Sequence, residues 1–350
     1  MTIQAGIIGG SGYVGGELLR LLSYHPQIKI GKVYSKSYAG KYIHSVHPNL
    51  RSIVDKTFTN ENIKDIVEAS DITFFALPHG QSSLIIPLLP YGNSKIVDIG
   101  ADFRLKRPED YEKWYHFTHP APNLLEKFVY GLPEIYREQI SKSSLVAVPG
   151  CIATSAILSL APIAINELID MVIVDAKVGS SGSGSKPSPA THFSERYNVV
   201  RIYKPAGHRH TAEVIQVLSM LCKKNVKVGM SVHAVNMVRG LETTSHIISK
   251  RTLDIKELWR MYRQFYAGEP FIRIIRDKKG KSKYPDPKFT FGSNYADVGF
   301  EVDSNSERVL AIGALDNLVK GAAGNAVQCA NIMLGLREEE GLLSPPIYPA

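Results

Sequence analysis

The tightest constraint on the fold lies near the start of the chain. An apolar stretch at 5–8 runs into Gly9-Gly10-Ser11-Gly12-Tyr13-Val14-Gly15, then a helical pattern carrying Leu18, Leu19, Leu21 and Leu22, then a second apolar stretch at 28–34. Strand, glycine turn, helix and strand in that order make a βαβ unit, whose right-handed crossover demands a parallel sheet. The glycines permit a sharp turn and let a pyrophosphate approach main-chain N–H groups at the positive end of a helix. Their spacing, Gly9, Gly12 and Gly15, is a variant of the commoner dinucleotide fingerprint. A dinucleotide site built from Gly9, Gly10, Ser11, Gly12, Tyr13 and Val14 is therefore expected.

The end of the second strand bears on which dinucleotide. An NAD site usually carries Asp or Glu there for the ribose 2′-hydroxyl. This chain has Ser35-Lys36-Ser37 with Lys41 nearby. Two hydroxyls and a cation suit a 2′-phosphate, which points to NADP(H). The competing reading is a plain surface turn.

The alternation continues with strands expected at 71–77, 95–99 and 145–148. Ligands of open α/β sheets bind beyond the carboxyl ends of strands. His79, Asp102, Arg104 and Cys151 all fall at such ends. Cys151 follows Pro149-Gly150 and precedes an apolar run at 152–160, which puts a thiol at a helix start. Unpaired N–H groups and the helix dipole favour a thiolate there, the form that attacks carbonyl carbon. The other reading of a lone cysteine is a small buried hydrophobe. Arg104 has two readings as well, a bidentate phosphate clamp or an ion pair with Asp102 or Glu109.

The texture changes in the second half. A strand at 171–178 is followed by a glycine- and serine-rich loop at 179–185, either a linker or a close backbone approach to a ligand, with Ser181 as the candidate substrate contact. Strands at 228–238 and 308–314, with a helix at 254–266 between them, suggest an α+β domain. A helix at 318–334 carries small residues for close packing: Gly321, Ala322, Ala323, Gly324 and Ala326. His208 and His210 are candidate proton carriers, and either imidazole could serve. His-x-His is also a metal-ligand spacing, but no cysteine or carboxylate cluster accompanies it, so no metal is expected. Cys222 and Cys329 read as packing residues.

At 350 residues the chain is long for one core, and two domains are expected. Three cysteines without metal-like spacing argue against a disulfide framework or a zinc site. The first residues lack a signal-peptide pattern, and the longest apolar run, at 156–165, is too short to span a bilayer. These features point to a cytoplasmic protein. The net charge of +8 concentrates at 196–210 and at 273–288, where Arg273, Arg276, Lys278, Lys279, Lys281, Lys283 and Lys288 face only Asp277 and Asp286 within the segment. A solvated loop and an acidic partner are both open readings. Nucleic acid is disfavoured, since no helix-turn-helix, zinc-finger or aromatic RNA-binding pattern lies nearby.

Six ordered motifs then carry a resemblance: Gly9 to Gly15, Ile-Gly-Ala-Asp-Phe-Arg-Leu at 99–105, Tyr-Gly-Leu-Pro-Glu at 130–134, Pro149-Gly150-Cys151, His208 to Glu213, and Ala-Leu-Asp-Asn-Leu-Val-Lys-Gly-Ala-Ala-Gly at 314–324. Over nearly its whole length the chain resembles the N-acetyl-gamma-glutamyl-phosphate reductase family. Those enzymes usually have Tyr-Pro-Thr after the cysteine, where this chain has Ile152-Ala153-Thr154. Together with Pro-Pro-Ile-Tyr-Pro at 345–349, this looks more like the branch acting on substrates tethered to the acidic carrier protein LysW. The resemblance implies a Rossmann domain at 1–150 and 315–350, with an α+β catalytic and dimerisation domain of the semialdehyde-dehydrogenase type at 151–314. It also implies a homo-oligomer and NADPH-dependent reduction of a carrier-linked acyl phosphate through a Cys151 thioester. In that scheme His208 moves protons, His210 orients substrate, Arg104 meets phosphate, and Asn317 reaches the nicotinamide end of the cofactor. The free acetylated substrate is the alternative.

Overall fold

The computed structural model describes residues 2–349 apart from Tyr91 and Asn93, and two compact units divide the chain. The first comprises residues 1–149 and 322–344. Its strands are β1 (Ile3–Ile8), β2 (Ile28–Tyr34), β3 (Ile72–Phe75), β4 (Lys95–Asp98), β5 (Val129–Tyr130) and β6 (Leu145–Ala147). They form a parallel sheet in the order β2-β1-β3-β4-β6-β5. Because β2 and β3 flank β1 on opposite sides, the winding reverses at β1, the position where doubly wound sheets bind ligands. The Tyr13–Ser23 helix buries one stripe, Leu18, Leu19, Leu21 and Leu22, as its spacing predicts.

The second unit comprises residues 150–321 and 345–350. Its strands are β7 (Ile169–Val178), β8 (Val200–Lys204), β9 (Lys227–Val235), β10 (Leu241–Ser249), β11 (Ile272–Ile274), β12 (Ala296–Asp303) and β13 (Arg308–Leu315). They make a mixed sheet in the order β11-β12-β13-β10-β7-β9-β8. The helices Cys151–Ala164, His210–Leu221 and Ile255–Phe265 pack on this sheet. Every residue of the first helix after Cys151 is buried, so the thiol heads the most enclosed helix of the unit. Pro162 lies inside that helix and cannot donate to the Leu158 carbonyl. The Tyr266 hydroxyl donates to that carbonyl instead, and Tyr262 donates to the next one, Ser159.

Two sequence expectations change here. The helix expected at 318–334 begins as a π-helical turn, Val319–Ala323, before the α-helix Gly324–Met333. Asp316 causes the change: its carboxylate accepts from the Leu318 and Val319 N–H groups, and its carbonyl accepts from Gly321. The chain expected to return to the first domain at 315 joins that unit only at 322, and the tail from 345 belongs to the second. Ile347 N–H donates to the Phe291 carbonyl at 2.9 Å, and the Tyr348 ring lies 5.3 Å from Phe289.

The basic segment is also less bare than its sequence. Register pairs Arg273 of β11 with Asp297 of β12, and the two form a bidentate ion pair at 2.6 and 3.0 Å. Arg276 pairs with Glu301 at 3.0 Å. Lys278, Lys279, Lys281, Lys283 and Lys288 remain exposed. Among the described residues no helix is long and apolar enough to cross a membrane, and no cluster of side chains could hold a metal ion.

Candidate active site

In the second unit, the helix that Cys151 begins has Gly150 as its extended N-cap (φ −70°, ψ 145°), with no capping side chain and no acid in its first turn. The first N–H groups of such a helix have no intrahelical partner, and its dipole favours negative charge at the thiol. Two glycines leave room for the arrangement. A Cβ on Gly150 would stand 2.3 Å from His210 Nε2, and one on Gly321 would stand 2.7 Å from the Cys151 Cβ. The Gly150 N–H donates at 2.9 Å to the carboxylate of Glu213, which is fully buried. Glu213 and His210 thus grip the residue before the thiol from one helix, while Cys151 itself stays half-buried.

The two histidines sit at the start of that helix with their rings perpendicular, 4.7 Å apart. The His210 N–H donates to His208 Nδ1 at 3.2 Å, which leaves the neutral ring's proton on Nε2. Burial, reinforced by the cations of Arg209 and Lys204, pushes the His208 pKa down to about 4, so the ring is neutral at pH 7. Tyr203 lies edge-on to His208 at 6.4 Å. Burial, with a further contribution from negative charge on Cys151, pushes its phenol up to about 12.

In the first unit the glycine turn is equally specific. Gly9 has φ +91° and faces the Ala76 carbonyl, which a Cβ would approach to 2.5 Å. Gly10 faces Val33 and Gly15 faces Gly10 itself, with built Cβ contacts of 2.3 and 2.6 Å. Gly12 differs: it is the N-cap of the Tyr13–Ser23 helix, and a Cβ there would meet nothing within 4 Å. A helix start with open space at its cap and no acid in its first turn fits a diphosphate. Ser35 is buried and donates to Ser11 Oγ at 2.9 Å, whereas Lys36 and Ser37 are exposed.

Residues 4–143 match the family profile described as the semialdehyde dehydrogenase NAD-binding domain, and residues 151–317 match the dimerisation domain of the same family. The LysW-L-2-aminoadipate/LysW-L-glutamate phosphate reductase of Saccharolobus solfataricus is 47% identical over 99% of each chain. A chain from Picrophilus torridus, whose name carries the same two substrates, is 49% identical over 99% of this chain and all of its own length. The chain belongs to this reductase family. Its fold is that of the wider semialdehyde dehydrogenases. The aspartate semialdehyde dehydrogenase II of Vibrio cholerae superposes with a TM-score of 0.69 at 16% identity, covering 96% of this chain and 99% of its own.

Ser181 and Asn317, singled out for substrate and cofactor respectively, are bonded to each other: Asn317 Nδ2 donates to Ser181 Oγ at 3.0 Å. The Gly240 N–H donates to Asn317 Oδ1 at 2.8 Å, and the Ser181 N–H donates to the Val238 carbonyl. The loop at 179–185 is therefore anchored and is no linker. Arg104, in the first unit, is buried; its Nε donates to the Val148 carbonyl at 2.7 Å and its Nη2 to the Ile99 carbonyl at 2.9 Å. The ion pair considered with Asp102 is not how Asp102 is used. Its carboxylate accepts from the Gly80 and Ser83 N–H groups at 2.8 and 2.9 Å, fixing the loop after β3. Two residues given no role from sequence support the arrangement at Gly150 and His208: Glu213 holds the Gly150 N–H, and Tyr203 lies against His208. Glu213 had a usable signal, one helical turn beyond His210.

Proposed function

We propose that the chain is an NADPH-dependent reductase that converts an aminoadipyl or glutamyl acyl phosphate, carried on the acidic protein LysW, to the semialdehyde. The observation that carries the reading is the thiol as first residue of an uncapped helix, beside a buried pair of histidines. The names of its relatives support the substrate.

In this reading the Cys151 thiolate attacks the acyl carbon and the C–O bond to phosphate breaks, leaving a thioester on Cys151. Phosphate leaves with one proton, so each turnover takes up one proton from solvent. A nicotinamide dinucleotide, when held by the glycine turn, would supply the hydride that reduces the acyl carbon. The C–S bond then breaks as the carbonyl re-forms, which frees the aldehyde and restores the thiolate. His208, neutral and presenting Nε2–H, donates a hydrogen bond to the substrate oxygen as negative charge grows there, while the proton that leaves with phosphate comes from solvent. His210 orients substrate by holding the Gly150 turn. N–H groups at the helix start share the oxyanion, at roughly 3 kcal/mol per donor in comparable sites. Arg104, its plane fixed by two carbonyls, is proposed to meet the phosphate. Asn317 fixes the Ser181 loop and faces the nicotinamide end, with Ser181 a substrate contact.

Gly9, Gly10, Ser11, Gly12, Tyr13 and Val14 would hold the diphosphate. Ser35, Lys36 and Ser37 would hold a 2′-phosphate, which favours NADP(H) over NAD. The exposed lysines at 278–288 would meet the carrier, whose acidity suits them, and the subunits would associate through the second unit.

Turnover of carrier-linked aminoadipyl phosphate, carrier-linked glutamyl phosphate and free acetylglutamyl phosphate, each with NADPH and NADH, tests the proposal. It predicts a carrier-linked substrate with NADPH as the fastest pair. Preference for the free acetylated compound, or for NADH, would count against it.

A further inference from the structure

Two arginines of the second unit, both near Tyr203, are left with unmet donors. Arg209 stands between His208 and His210 in sequence, at the N-cap of the His210–Leu221 helix. Arg196 ends a short helical turn before β8 and donates from Nη2 to the carbonyl of Val178, the last residue of β7, at 3.0 Å. Each has its Nε–H buried without an acceptor, and neither forms an ion pair among the described residues. Nearby Glu195 is taken by Arg201 at 3.2 Å.

Both guanidiniums lie within electrostatic reach of one side chain. Their charges and that of Cys151 all act on the Tyr203 hydroxyl. The Tyr203 ring packs on His208, His208 on His210, and His210 against Gly150. A buried N–H of a charged group without an acceptor is costly, so a pair of them next to a nucleophile calls for an anion. The planar fork of arginine matches a carboxylate or a phosphoryl group, both of which accept two parallel hydrogen bonds. An anion here would also offset the Arg209 charge that disfavours protonation of His208.

We infer that Arg196 and Arg209 form an oxyanion subsite beside Cys151 that holds a carboxylate or phosphoryl group of the substrate. The inference rests on the reductase reading, because an acylated amino acid brings both groups. Its chemistry is common to the two, and kinetics in the reverse direction distinguish them.

The test uses full-length enzyme with carrier-linked semialdehyde, inorganic phosphate and NADP, comparing the parent with Arg196→Lys and Arg209→Lys. Both variants keep the charge and lose the planar fork. A rise of about 10- to 100-fold in KM for semialdehyde alone identifies a carboxylate as the bound group. The same rise in KM for phosphate alone identifies the phosphoryl group. If neither constant moves more than about twofold in either variant, the subsite is refuted. A second readout needs no turnover: the rate at which iodoacetamide alkylates Cys151 with and without phosphate or 2-aminoadipate. Protection in the parent that is lost in the variants supports the subsite even if no carrier-linked substrate reacts, a result that would sink the reductase reading alone. No protection in the parent by either anion argues against the subsite. A melting temperature for each variant shows whether it has folded.

Discussion

Two helices of this chain begin alike and have been put to different uses. The Tyr13–Ser23 and Cys151–Ala164 helices each follow a strand of the parallel sheet, and each has an extended glycine N-cap, no capping side chain and no acid in its first turn. Both therefore present a positive end, whose first N–H groups have no intrahelical partner. Beside Gly12 there is open space, whereas the room beside Gly150 is occupied by His210. One helix start leaves its anion to be brought in by a ligand; the other carries its own, as the thiol of its first residue. In the proposed reading, glycine serves the two caps for opposite reasons: at 12 to admit a ligand, at 150 to admit a side chain of the protein.

Substitutions can break this comparison, and the largest effect is expected at the thiol. Cys151→Ala should lower kcat by at least about 10⁴-fold without lowering the melting temperature, as NADPH oxidation and thermal denaturation would show. His208→Gln, which keeps a neutral donor but loses the imidazole, should cost roughly 10²- to 10³-fold in kcat. Gly150→Ala forces a methyl into His210 and should cost both activity and roughly 1–3 kcal/mol of stability. Gly12→Ala should separate these effects, with KM for the dinucleotide rising about tenfold and stability changing by less than about 0.5 kcal/mol. Equal loss of stability at positions 12 and 150 would break the contrast drawn between the two caps.

One buried group in each unit also responds to pH, and the two do so in opposite senses. Burial, and then the neighbouring Asp102, raise Asp98 of β4 from 3.8 to about 7, so the folded chain binds a proton there that the unfolded chain lacks. That contribution is complete below 3.8 and is lost as pH rises through about 7. His208 is lowered from 6.5 to about 4, so its contribution is complete above 6.5 and is lost as pH falls towards 4. Melting temperatures between pH 4 and 8 should therefore move oppositely in two variants. Relative to the parent, Asp98→Asn should gain as pH rises and His208→Gln should gain as pH falls.

Much of this was legible in sequence because the backbone itself demanded it. The glycine turn, the strand ends and the helix start at Cys151 follow from residue types whose steric effects are local. Partners brought together by tertiary folding were not legible. Nothing near Gly150 in the chain shows that His210 fills the space of its missing side chain, or that Glu213 holds its N–H. The Ser181–Asn317 bond joins residues 136 positions apart. The acids that neutralise Arg273 and Arg276 stand on β12, more than twenty residues away, which is why the segment reads as more basic than it is. The π-helical turn escaped because a helical pattern of small residues does not reveal that the Asp316 carboxylate accepts from the Leu318, Val319 and Gly292 N–H groups while its carbonyl accepts from Gly321.

The central claim is that Cys151 carries the acyl group, and the reverse half-reaction tests it most directly. Enzyme mixed with carrier-linked semialdehyde and NADP, with phosphate left out, should release a burst of one NADPH per active subunit and then stall. Peptide mass spectrometry should find the acyl group on Cys151, and added phosphate should discharge it. NADPH formation without a burst, or an acyl group on any residue other than Cys151, would contradict the account.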